Sequence, residues 1–495
     1  MKNVAVANGL TLAPYCTQEL PGGGHTLARV LDFARRLPGV EQPAVLLSGE
    51  APRPEGFRPV RLAGPGAPQL LSALAGLAEG ADNLFYFFAD SPLLDSGLAA
   101  RMLDSHRRYF ADYTFADGYP LGLAVEILRP ETLKALAVLA AGCPEVRADD
   151  RGAVFEVLRK DINSFDVETE LAPADLRPLR LSLSADTKRN FLLLSRLLEA
   201  GAADAEGACR RVQEHPEMLR TLPAFFAVQI VEGCPQLCSY CPYPKFGIRE
   251  TGKKAQMPLE RFAGLADRIR DFCVDAVVGV SLWGEPAYYE GFPQLAAAVR
   301  DRGLQLVVET SGVGWDPSCL EQVPAGDYVD WIVSLDADAP ELYRQLRGEG
   351  HAEAVHTLEA LAGRFPGRVH AQAVRMKENE EPLEEFYKAW KARTGKVIVQ
   401  KYDHFCGLLP DRRVADLSPL KRFPCWHLKR DLAVLIDGRV PLCREDVGLT
   451  HPLGNVFEED LASIWGRAEA FYLSHLREEY PQLCSACDEY YTFNF

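Results

Sequence analysis

The sequence lacks any apolar run of the roughly 18 residues that a membrane helix needs. Its first residues, up to Pro14, also lack the charged-then-apolar pattern of a secretory signal. We therefore expect a cytoplasmic protein without a membrane partner. Positive charge is scarce too, since the formal net charge is -15. A partner bound mainly through phosphate contacts needs a basic surface, so we expect no nucleic-acid partner.

We also expect no disulfide scaffold. The 495 residues include 13 cysteines, an odd number, and seven of them fall into groups with metal-type spacing. The other six are dispersed as Cys16, Cys143, Cys209, Cys273, Cys319 and Cys406. With 47% hydrophobic and 25% charged residues, the composition is that of a globular protein, and the length predicts about two to four domains.

Three of the grouped cysteines, Cys234, Cys238 and Cys241, form a C-x3-C-x2-C motif directly after the apolar run 225–231. This order predicts a strand with a thiol-bearing loop at its end. Three thiolates on one loop leave one iron of a [4Fe-4S] cluster open for a chelating ligand. A zinc knuckle or scattered buried cysteines are the alternatives, but zinc favours paired ligands and a fourth partner.

The motif, the strand before it and the aromatic Tyr240 resemble the radical S-adenosylmethionine (SAM) superfamily. The resemblance implies that the open iron binds the amino and carboxylate groups of SAM. It further implies reductive cleavage of SAM to methionine and a 5'-deoxyadenosyl radical, with Tyr240 near the adenine. An electron donor such as flavodoxin or ferredoxin would then be a partner.

Strands and helices alternate through residues 206–402, and the pattern predicts six strand-helix units. Six units are too few to close an eight-stranded barrel, so we expect a partial (β/α)6 barrel of the TIM type. In such sheets the chemistry gathers at the carboxyl ends of the strands. The predicted strands are 225–231, 276–282, 304–309, 331–335, 369–374 and 397–400.

Trp283-Gly284-Glu285-Pro286 follows the second of these strands and resembles the Gly-Glu-Pro motif of the superfamily. The resemblance implies that the backbone and the acidic group of Gly284, Glu285 and Pro286 receive the SAM amino group. The glycine permits a close backbone approach, and a carboxylate or carbonyl accepts from an ammonium. Trp283 departs from the family, where many members have a glycine.

Polar residues also follow the later strands. By the same resemblance, Glu309, Ser311 and Ser334 would reach the ribose hydroxyls or the carboxylate of SAM. Helix capping is the alternative role, since polar side chains often cap helices at such places. Asn379, after the fifth strand, is interpreted as a loop cap rather than as an adenine contact.

The first 205 residues also alternate between strands and helices, which predicts a parallel sheet flanked by helices. Three segments, 90–92, 117–122 and 179–187, resemble the sugar-activating cytidylyltransferases of the GT-A-like fold. The resemblance implies that Asp90 helps to bind metal and nucleotide.

One departure from that family concerns charge. No lysine or arginine lies between Lys2 and Arg29, although the first loop of the family carries basic residues for the triphosphate. The glycine loop 22–24 can offer backbone N–H groups, but a leaving pyrophosphate would be poorly neutralised. We therefore expect a degenerate domain that recognises a sugar nucleotide or another substrate handle. For the glycine loop itself, a tight turn is an equal alternative.

Four cysteines of the last third suit a closed metal site. Cys425 and Cys443 bracket a predicted hairpin with the turn Asp437-Gly438, and Cys484 and Cys487 form a C-x2-C pair. A second [4Fe-4S] cluster and a zinc ion both take four thiolates. Cys406 is either a substitute ligand or, as we prefer, a small buried residue.

This cysteine pattern, together with segments 453–456 and 461–465, resembles the SPASM and twitch extensions of radical SAM enzymes, here with one auxiliary cluster. The whole chain resembles the spiro-SPASM family. We therefore predict an α/β protein with a GT-A-like nucleotidyltransferase-type domain (1–205), a radical SAM barrel (206–402) and a small α+β iron-sulfur domain (403–495).

The resemblance implies SAM cleavage and oxidative modification of a peptide, protein or sugar-nucleotide-like substrate, in which the auxiliary cluster accepts an electron or ligates the substrate. Two alternatives stay open. One is an active sugar-activating nucleotidyltransferase with an iron-sulfur partner module, and the other is a non-catalytic iron-sulfur scaffold.

Overall fold

The computed structural model describes residues 2–49, 51, 53–243, 255–280 and 282–492. The chain divides into two compact units, Met1–Thr221 and Leu222–Phe495. The predicted α/β fold class is confirmed, with a seven-stranded mixed sheet in the first unit and a seven-stranded parallel sheet in the second.

The first unit contains a seven-stranded sheet in the order β3-β2-β1-β4-β6-β5-β7. Only β6 runs antiparallel to its neighbours among the described strands. The strands are β1 (Asn3–Asn8), β2 (Ala44–Leu47), β3 (Arg58–Arg61), β4 (Asn83–Phe88), β5 (Tyr113–Asp117), β6 (Glu126–Leu128) and β7 (Val167–Leu171). Alternate side chains of β1 enter two separate apolar layers, so both faces of the sheet are covered.

Seven helices cover this sheet. They are α1 (Thr26–Arg36), α2 (Ala67–Leu77), α3 (Ser96–Arg108), α4 (Pro130–Leu139), α5 (Ala153–Leu158), α6 (Lys188–Glu199) and α7 (Ala205–Glu214). Asp95 caps α3 by accepting from the amides of Gly97 (2.6 Å) and Leu98 (3.1 Å). Helix α7 lies at the start of the segment 206–402 that we assigned to the barrel domain. Its Cys209 and Val212 are buried in the core of the first unit, because the helix is amphipathic rather than polar throughout.

The second unit is built on another seven-stranded sheet, in the order β13-β12-β11-β10-β9-β8-β14. Its strands are β8 (Phe225–Val228), β9 (Val277–Gly279), β10 (Gln305–Thr310), β11 (Val329–Ser334), β12 (Val369–Arg375), β13 (Val397–Lys401) and β14 (Asp431–Val434), all parallel to their neighbours. The six predicted barrel strands are present. Position 281, within the predicted second strand, lies outside the described residues.

Strand β14 corrects the prediction of a simple hairpin between Cys425 and Cys443. The Asp437-Gly438 turn does form, since the amide of Leu435 donates to Arg439 O (2.8 Å). The first arm, however, pairs in parallel with β8, with Asp431 opposite Phe225. The second arm, β15 (Arg439–Val440), pairs with β16 (Gly454–Asn455). In an open barrel, one edge of β8 would have unpaired backbone groups, and β14 forms the hydrogen bonds to that edge.

In the described part of the second unit, the α-helices are α8 (Leu259–Phe272), α9 (Phe292–Arg300), α10 (Pro317–Gln322), α11 (Pro340–Arg347), α12 (His351–Arg364), α13 (Leu383–Thr394), α14 (Trp426–Arg430), α15 (Leu461–Arg467), α16 (Glu469–Leu476) and α17 (Gln482–Ser485). One continuous apolar core joins the barrel to residues 425–490. Within the described ranges, no helix has the length and apolar character of a membrane span.

Candidate functional site

A cavity of about 190 Å³ opens at the carboxyl ends of the barrel strands. All of the residues that we predicted to hold the first cluster or SAM line it, except Pro286, which begins a short 3-10 helix. These residues are Cys234, Cys238, Tyr240, Cys241, Gly284, Glu285, Glu309, Ser311 and Ser334. The fold therefore collects residues from four separate strand ends around one space.

The thiol loop is held against the end of α11. The backbone amide of Leu237 donates to Arg347 O, and that of Ser239 donates to Leu346 O, both at 2.8 Å. The amide of Gln236 also donates from its side chain to Glu349 O (2.9 Å). These bonds fix the backbone of the loop without using its thiols.

Tyr240 and Arg347 meet at a buried carboxylate. Arg347 Nη1 lies 2.7 Å from Asp336 Oδ2, with side-chain exposures of 6% and 0%. The Tyr240 hydroxyl donates to the same oxygen at 2.5 Å. Burial raises the pKa of the neighbouring Cys238 thiol, while the Arg347 guanidinium acts in the opposite direction. Sequence reasoning missed this network, because Asp336 and Arg347 carry no motif of their own.

Gly284 stands where only glycine fits. Its φ is +87°, and a Cβ at this position would collide with Val231 O on the neighbouring strand end. The next side chain, Glu285, is buried and already engaged. Its Oε2 accepts from the amide of Ser311 (2.7 Å), and its Oε1 accepts from the Thr310 hydroxyl. The carboxylate thus joins two strand ends, and the Glu285 backbone donates to Gly233 O (2.9 Å) and accepts from the amide of Tyr288 (2.9 Å).

The other predicted polar residues are partly engaged in the same way. Ser311 Oγ accepts from the amide of Val313 (3.2 Å), and Ser334 Oγ accepts from Gln372 Nε2 (3.3 Å). Burial raises the pKa of Glu309, and Arg444 acts against this shift. Asn379 bonds within its loop, where its Nδ2 donates to Val374 O (2.9 Å) and its Oδ1 accepts from the amide of Met376 (2.8 Å). Its Nδ2 also donates to Asp336 O (3.1 Å), so it ties the loop to the residue after β11.

An aromatic stack closes one side of the cavity. The ring centroids of Tyr243 and Trp283 lie 6.0 Å apart with an interplanar angle of 3°, and Phe405 tilts against Trp283 at 5.8 Å. Trp283 stands where many radical SAM enzymes have glycine. Here its ring packs between the thiol loop and the segment after β13, which accounts for the large side chain.

Sequence reasoning also missed a group of charges on the far side of the cavity. Lys401 Nζ lies 3.1 Å from Asp488 Oδ2 and also pairs with Glu489. Asp403, Asp488 and Glu489 each offer an oxygen within 4.8 Å of the others. Lys401, Asp403 and Arg444 line the cavity itself. In the sequence, Lys401 ends β13, Asp403 follows that strand, and Arg444 follows Cys443; these positions were the available signals.

A second, smaller cavity lies in the same unit and is lined by five thiols, those of Cys406, Cys425, Cys443, Cys484 and Cys487. Among the described residues no three of these sulfur atoms lie within 4.8 Å of one another. A single tetrahedral zinc ion with Zn–S bonds of about 2.3 Å would need thiolates only about 3.8 Å apart. The cavity that the five thiols line is small, about 10 Å³.

In the first unit, the predicted metal-binding Asp90 follows β4 and is buried. Arg151 Nη2 lies 2.6 Å from Asp90 Oδ2 and 3.3 Å from Asp186 Oδ2, so a guanidinium fills the position between two carboxylates. Burial raises the pKa of Asp90, and Arg151 opposes this. The glycine loop 22–24 is a tight turn, in which the amide of Leu20 donates to Gly24 O (2.8 Å).

A thiol-bearing cavity at the strand ends of a partial parallel barrel, with a second thiol site beside it, is the arrangement of radical SAM enzymes with an iron-sulfur extension. The family model of the radical SAM superfamily matches residues 228–389. The SPASM model, described as an iron-sulfur cluster-binding domain, matches residues 425–488.

The chain belongs to the radical SAM superfamily and carries a SPASM domain. The first match implies a [4Fe-4S] cluster and SAM, and the second implies auxiliary iron-sulfur clusters. An uncharacterized protein of Treponema pallidum (strain Nichols) is 43% identical over 364 residues, which are 69% of this chain and 98% of that protein.

More distant relatives have printed names. PqqA peptide cyclase of Ruegeria pomeroyi is 28% identical over 27% of this chain and 35% of its own length. Mycofactocin maturase MftC of Mycobacterium tuberculosis is 26% identical over 33% of this chain and 41% of its own length. This chain thus spans well under half of the length of either relative.

Two solved structures resemble parts of the fold. SuiB of Streptococcus suis bound to S-adenosylmethionine has a TM-score of 0.45 and 15% identity, over 57% of this chain and 82% of that one. A cytidylyltransferase from Leptospira borgpetersenii has a TM-score of 0.36 and 14% identity, over 44% of this chain and 95% of that one.

Proposed function

We propose that Cys234, Cys238 and Cys241 hold the SAM-cleaving cluster and that SAM lies in the strand-end cavity. The observation that carries this proposal is the convergence of the three thiols with the ends of β9, β10 and β11 in one cavity. The donor set fits, since three thiolates leave one iron open for SAM. When bound, the cluster and SAM supply the 5'-deoxyadenosyl radical.

The chain's own residues hold and orient SAM. The Gly284 carbonyl is the acceptor for the SAM ammonium, because the Glu285 carboxylate is already bonded to Thr310 and Ser311 and its carbonyl accepts from the amide of Tyr288 (2.9 Å). Ser334 and Glu309 face the same cavity and suit the ribose hydroxyls. Tyr240, fixed by Asp336, gives the adenine side a rigid wall.

The auxiliary site is assigned to Cys425, Cys443, Cys484 and Cys487. Cys425 and Cys484 are each only 7% exposed, which suits a site that excludes water. The SPASM match over residues 425–488, an iron-sulfur cluster-binding domain, supports a [4Fe-4S] cluster over zinc. When bound, this cluster supplies an electron acceptor or a ligation point for an oxidised substrate.

The substrate that we propose is a peptide. Two relatives are named for peptide cyclisation and for maturation, and the first is a PqqA peptide cyclase. The charged far side of the cavity supports this choice. Lys401 and Arg444 suit a carboxylate of a peptide, and Asp403, which lines the same cavity, suits an amine. A sugar-nucleotide-like substrate is the second candidate. A flavodoxin or ferredoxin is proposed as the reductant.

The first unit is proposed to bind rather than to transfer nucleotides. Arg151 already supplies positive charge between Asp90 and Asp186, where a catalytic metal ion would have to bind. Its loop at positions 22–24 also has a structural role as a turn. In an assay with magnesium, each nucleoside triphosphate and candidate sugars, we expect no pyrophosphate release above background. Release that disappears on Asp90→Ala would restore the active-transferase alternative.

The central test is reductive cleavage of SAM by anaerobically reconstituted protein, measured as 5'-deoxyadenosine. Replacing Cys234, Cys238 and Cys241 with alanine should abolish it and lower the iron content from about eight to about four per chain. The matched control replaces Cys143, Cys209 and Cys319, which line neither thiol cavity. Cleavage that survives the first triple change refutes the assignment, and protein that holds clusters but never cleaves SAM would be a scaffold.

A further inference from the structure

The auxiliary cavity contains one thiol more than a [4Fe-4S] cluster needs. Four cysteines fill such a cluster, yet Cys406 lines the same cavity as the other four. Its side chain is only partly exposed. An additional thiol in the same cavity as the proposed ligands is a potential ligand itself, because iron in these clusters prefers soft thiolates.

The backbone around Cys406 adopts a conformation that non-glycine residues rarely take. Phe405, Cys406 and Gly407 have φ values of 49°, 53° and 87° in succession. The turn is held by the Asp403 side chain, which accepts from the amide of Phe405 (2.7 Å), and by His404 Nδ1, which accepts from the amide of Gly407 (2.9 Å). Such left-handed residues persist only where the surroundings enforce them, and they cluster at functional sites.

This turn forms a wall between the two cavities. Phe405 faces the strand-end cavity, whereas the next residue, Cys406, faces the auxiliary cavity. In the same way, Arg444 lines the strand-end cavity and the preceding residue, Cys443, lines the auxiliary cavity. The left-handed backbone therefore has a specific result, which is to place the Cys406 thiol among the other four while Phe405 stacks on the opposite side.

Within the auxiliary cavity, Cys406 is paired with one particular cysteine. The Cys406 and Cys487 thiols interact within the cavity, and the turn Phe405–Gly407 packs against helix α17, which contains Cys484 and ends just before Cys487. Cys487 Sγ also accepts from the amide of Glu489 (3.3 Å). Cys484, at the other end of the C-x2-C pair, has no described bond to Cys406.

We propose that Cys406 and Cys487 are interchangeable ligands of one iron of the auxiliary cluster, with Cys425, Cys443 and Cys484 holding the other three irons. The inference rests on the proposed auxiliary cluster and extends it from four cysteines to five. The fourth ligand position would then be shared between Cys406, which directly follows a residue of the strand-end cavity, and Cys487, which does not.

The test uses the full chain with Cys234, Cys238 and Cys241 replaced by alanine, so that every iron belongs to the auxiliary site. Four further variants are made in this background: Cys406→Ala, Cys487→Ala, both together, and Cys484→Ala as the control without a spare thiol. Each is reconstituted, reduced and examined by electron paramagnetic resonance (EPR) with isotopically labelled cyanide. Cyanide binds an iron without a thiolate and broadens its signal.

We expect both single variants, Cys406→Ala and Cys487→Ala, to keep about four irons and an unbroadened signal. The double variant and Cys484→Ala should show broadening or should lose the cluster. Broadening or cluster loss in Cys487→Ala, or an unbroadened cluster in the double variant, would overturn the exchange while leaving the auxiliary cluster intact as a proposal. A background protein with no iron or with zinc would overturn both.

Discussion

Replacing Arg347 with methionine should destabilise the barrel unit strongly. Methionine keeps the length of the side chain but removes its charge, and it leaves the Asp336 carboxylate, which is 0% exposed, without its cation. Removing one partner of a buried ion pair typically costs about 3 to 5 kcal/mol, since the remaining charge is neither solvated nor paired. The Tyr240 hydroxyl and the amide of Val374 (2.7 Å) would still bond to Asp336, so we expect the lower end of that range.

The assay is urea unfolding followed by tryptophan fluorescence. All six tryptophans lie between Trp283 and Trp465, so the signal reports on the second unit alone. With a urea dependence of roughly 3 kcal/mol per molar for a unit of this size, the midpoint should fall by about 1 M. Arg344→Met is the matched control. It lies in the same helix, and its pair with Glu349 has exposures of 57% and 81%, so less than about 1 kcal/mol should be lost.

A second substitution tests whether the unpaired Asp336 charge causes the loss of stability. Asp336→Asn in the Arg347→Met background removes the unpaired charge, while the asparagine oxygen can still accept from the amide of Val374. We expect this double variant to recover part of the lost stability. If Arg347→Met unfolds at the same urea concentration as Arg344→Met, or if the asparagine change destabilises it further, the buried pair does not stabilise this cavity wall.

Three further outcomes are expected. Gly284→Ala should weaken SAM binding at least about tenfold in calorimetry, because a Cβ collides with Val231 O at a φ of +87°. Burial raises the pKa of Glu126 from 4.5 to about 8, so the first unit should lose stability as the pH rises from 4.5 to 8, by at most roughly 5 kcal/mol. Glu126→Gln should flatten that dependence in thermal scans, and an unchanged slope would exclude Glu126 as its source. Cys484→Ala with Cys487→Ala should leave 5'-deoxyadenosine formation largely intact while product formation stops. Circular dichroism must show an intact fold, and equal loss of both activities would contradict separate roles for the two sites.

The strand ends could be predicted from the sequence because their signals are local. An apolar run followed by polar or thiol residues identifies a buried strand and the functional residues after it. For Cys234, Gly284 and Ser311 this was sufficient to predict that they meet in one cavity. Because the carboxyl ends of parallel strands lie at one edge of the sheet, the residues that follow them are expected to lie close together.

The remaining features depend on contacts between distant parts of the chain. Nothing in the segment Asp431–Val434 specifies β8 as its partner, and the turn at Asp437-Gly438 suggests the nearer arm instead. Arg151 reaches Asp90 from a loop about 60 positions later, a distance that motif spacing does not predict. Cys406 was interpreted as a small buried residue because a single cysteine has no pattern; only the fold gathers it with four others.

The pairing of β14 with β8 has a consequence for synthesis. Strand β8 is the first strand of the barrel, yet its edge partner β14 is translated about 200 residues later. While the ribosome makes the intervening residues, the β8 edge is unpaired and free to join another chain. Until β14 is made, the nascent barrel therefore depends on chaperones to avoid aggregation. Premature termination before Asp431 should yield insoluble protein rather than a smaller enzyme that only lacks its auxiliary site.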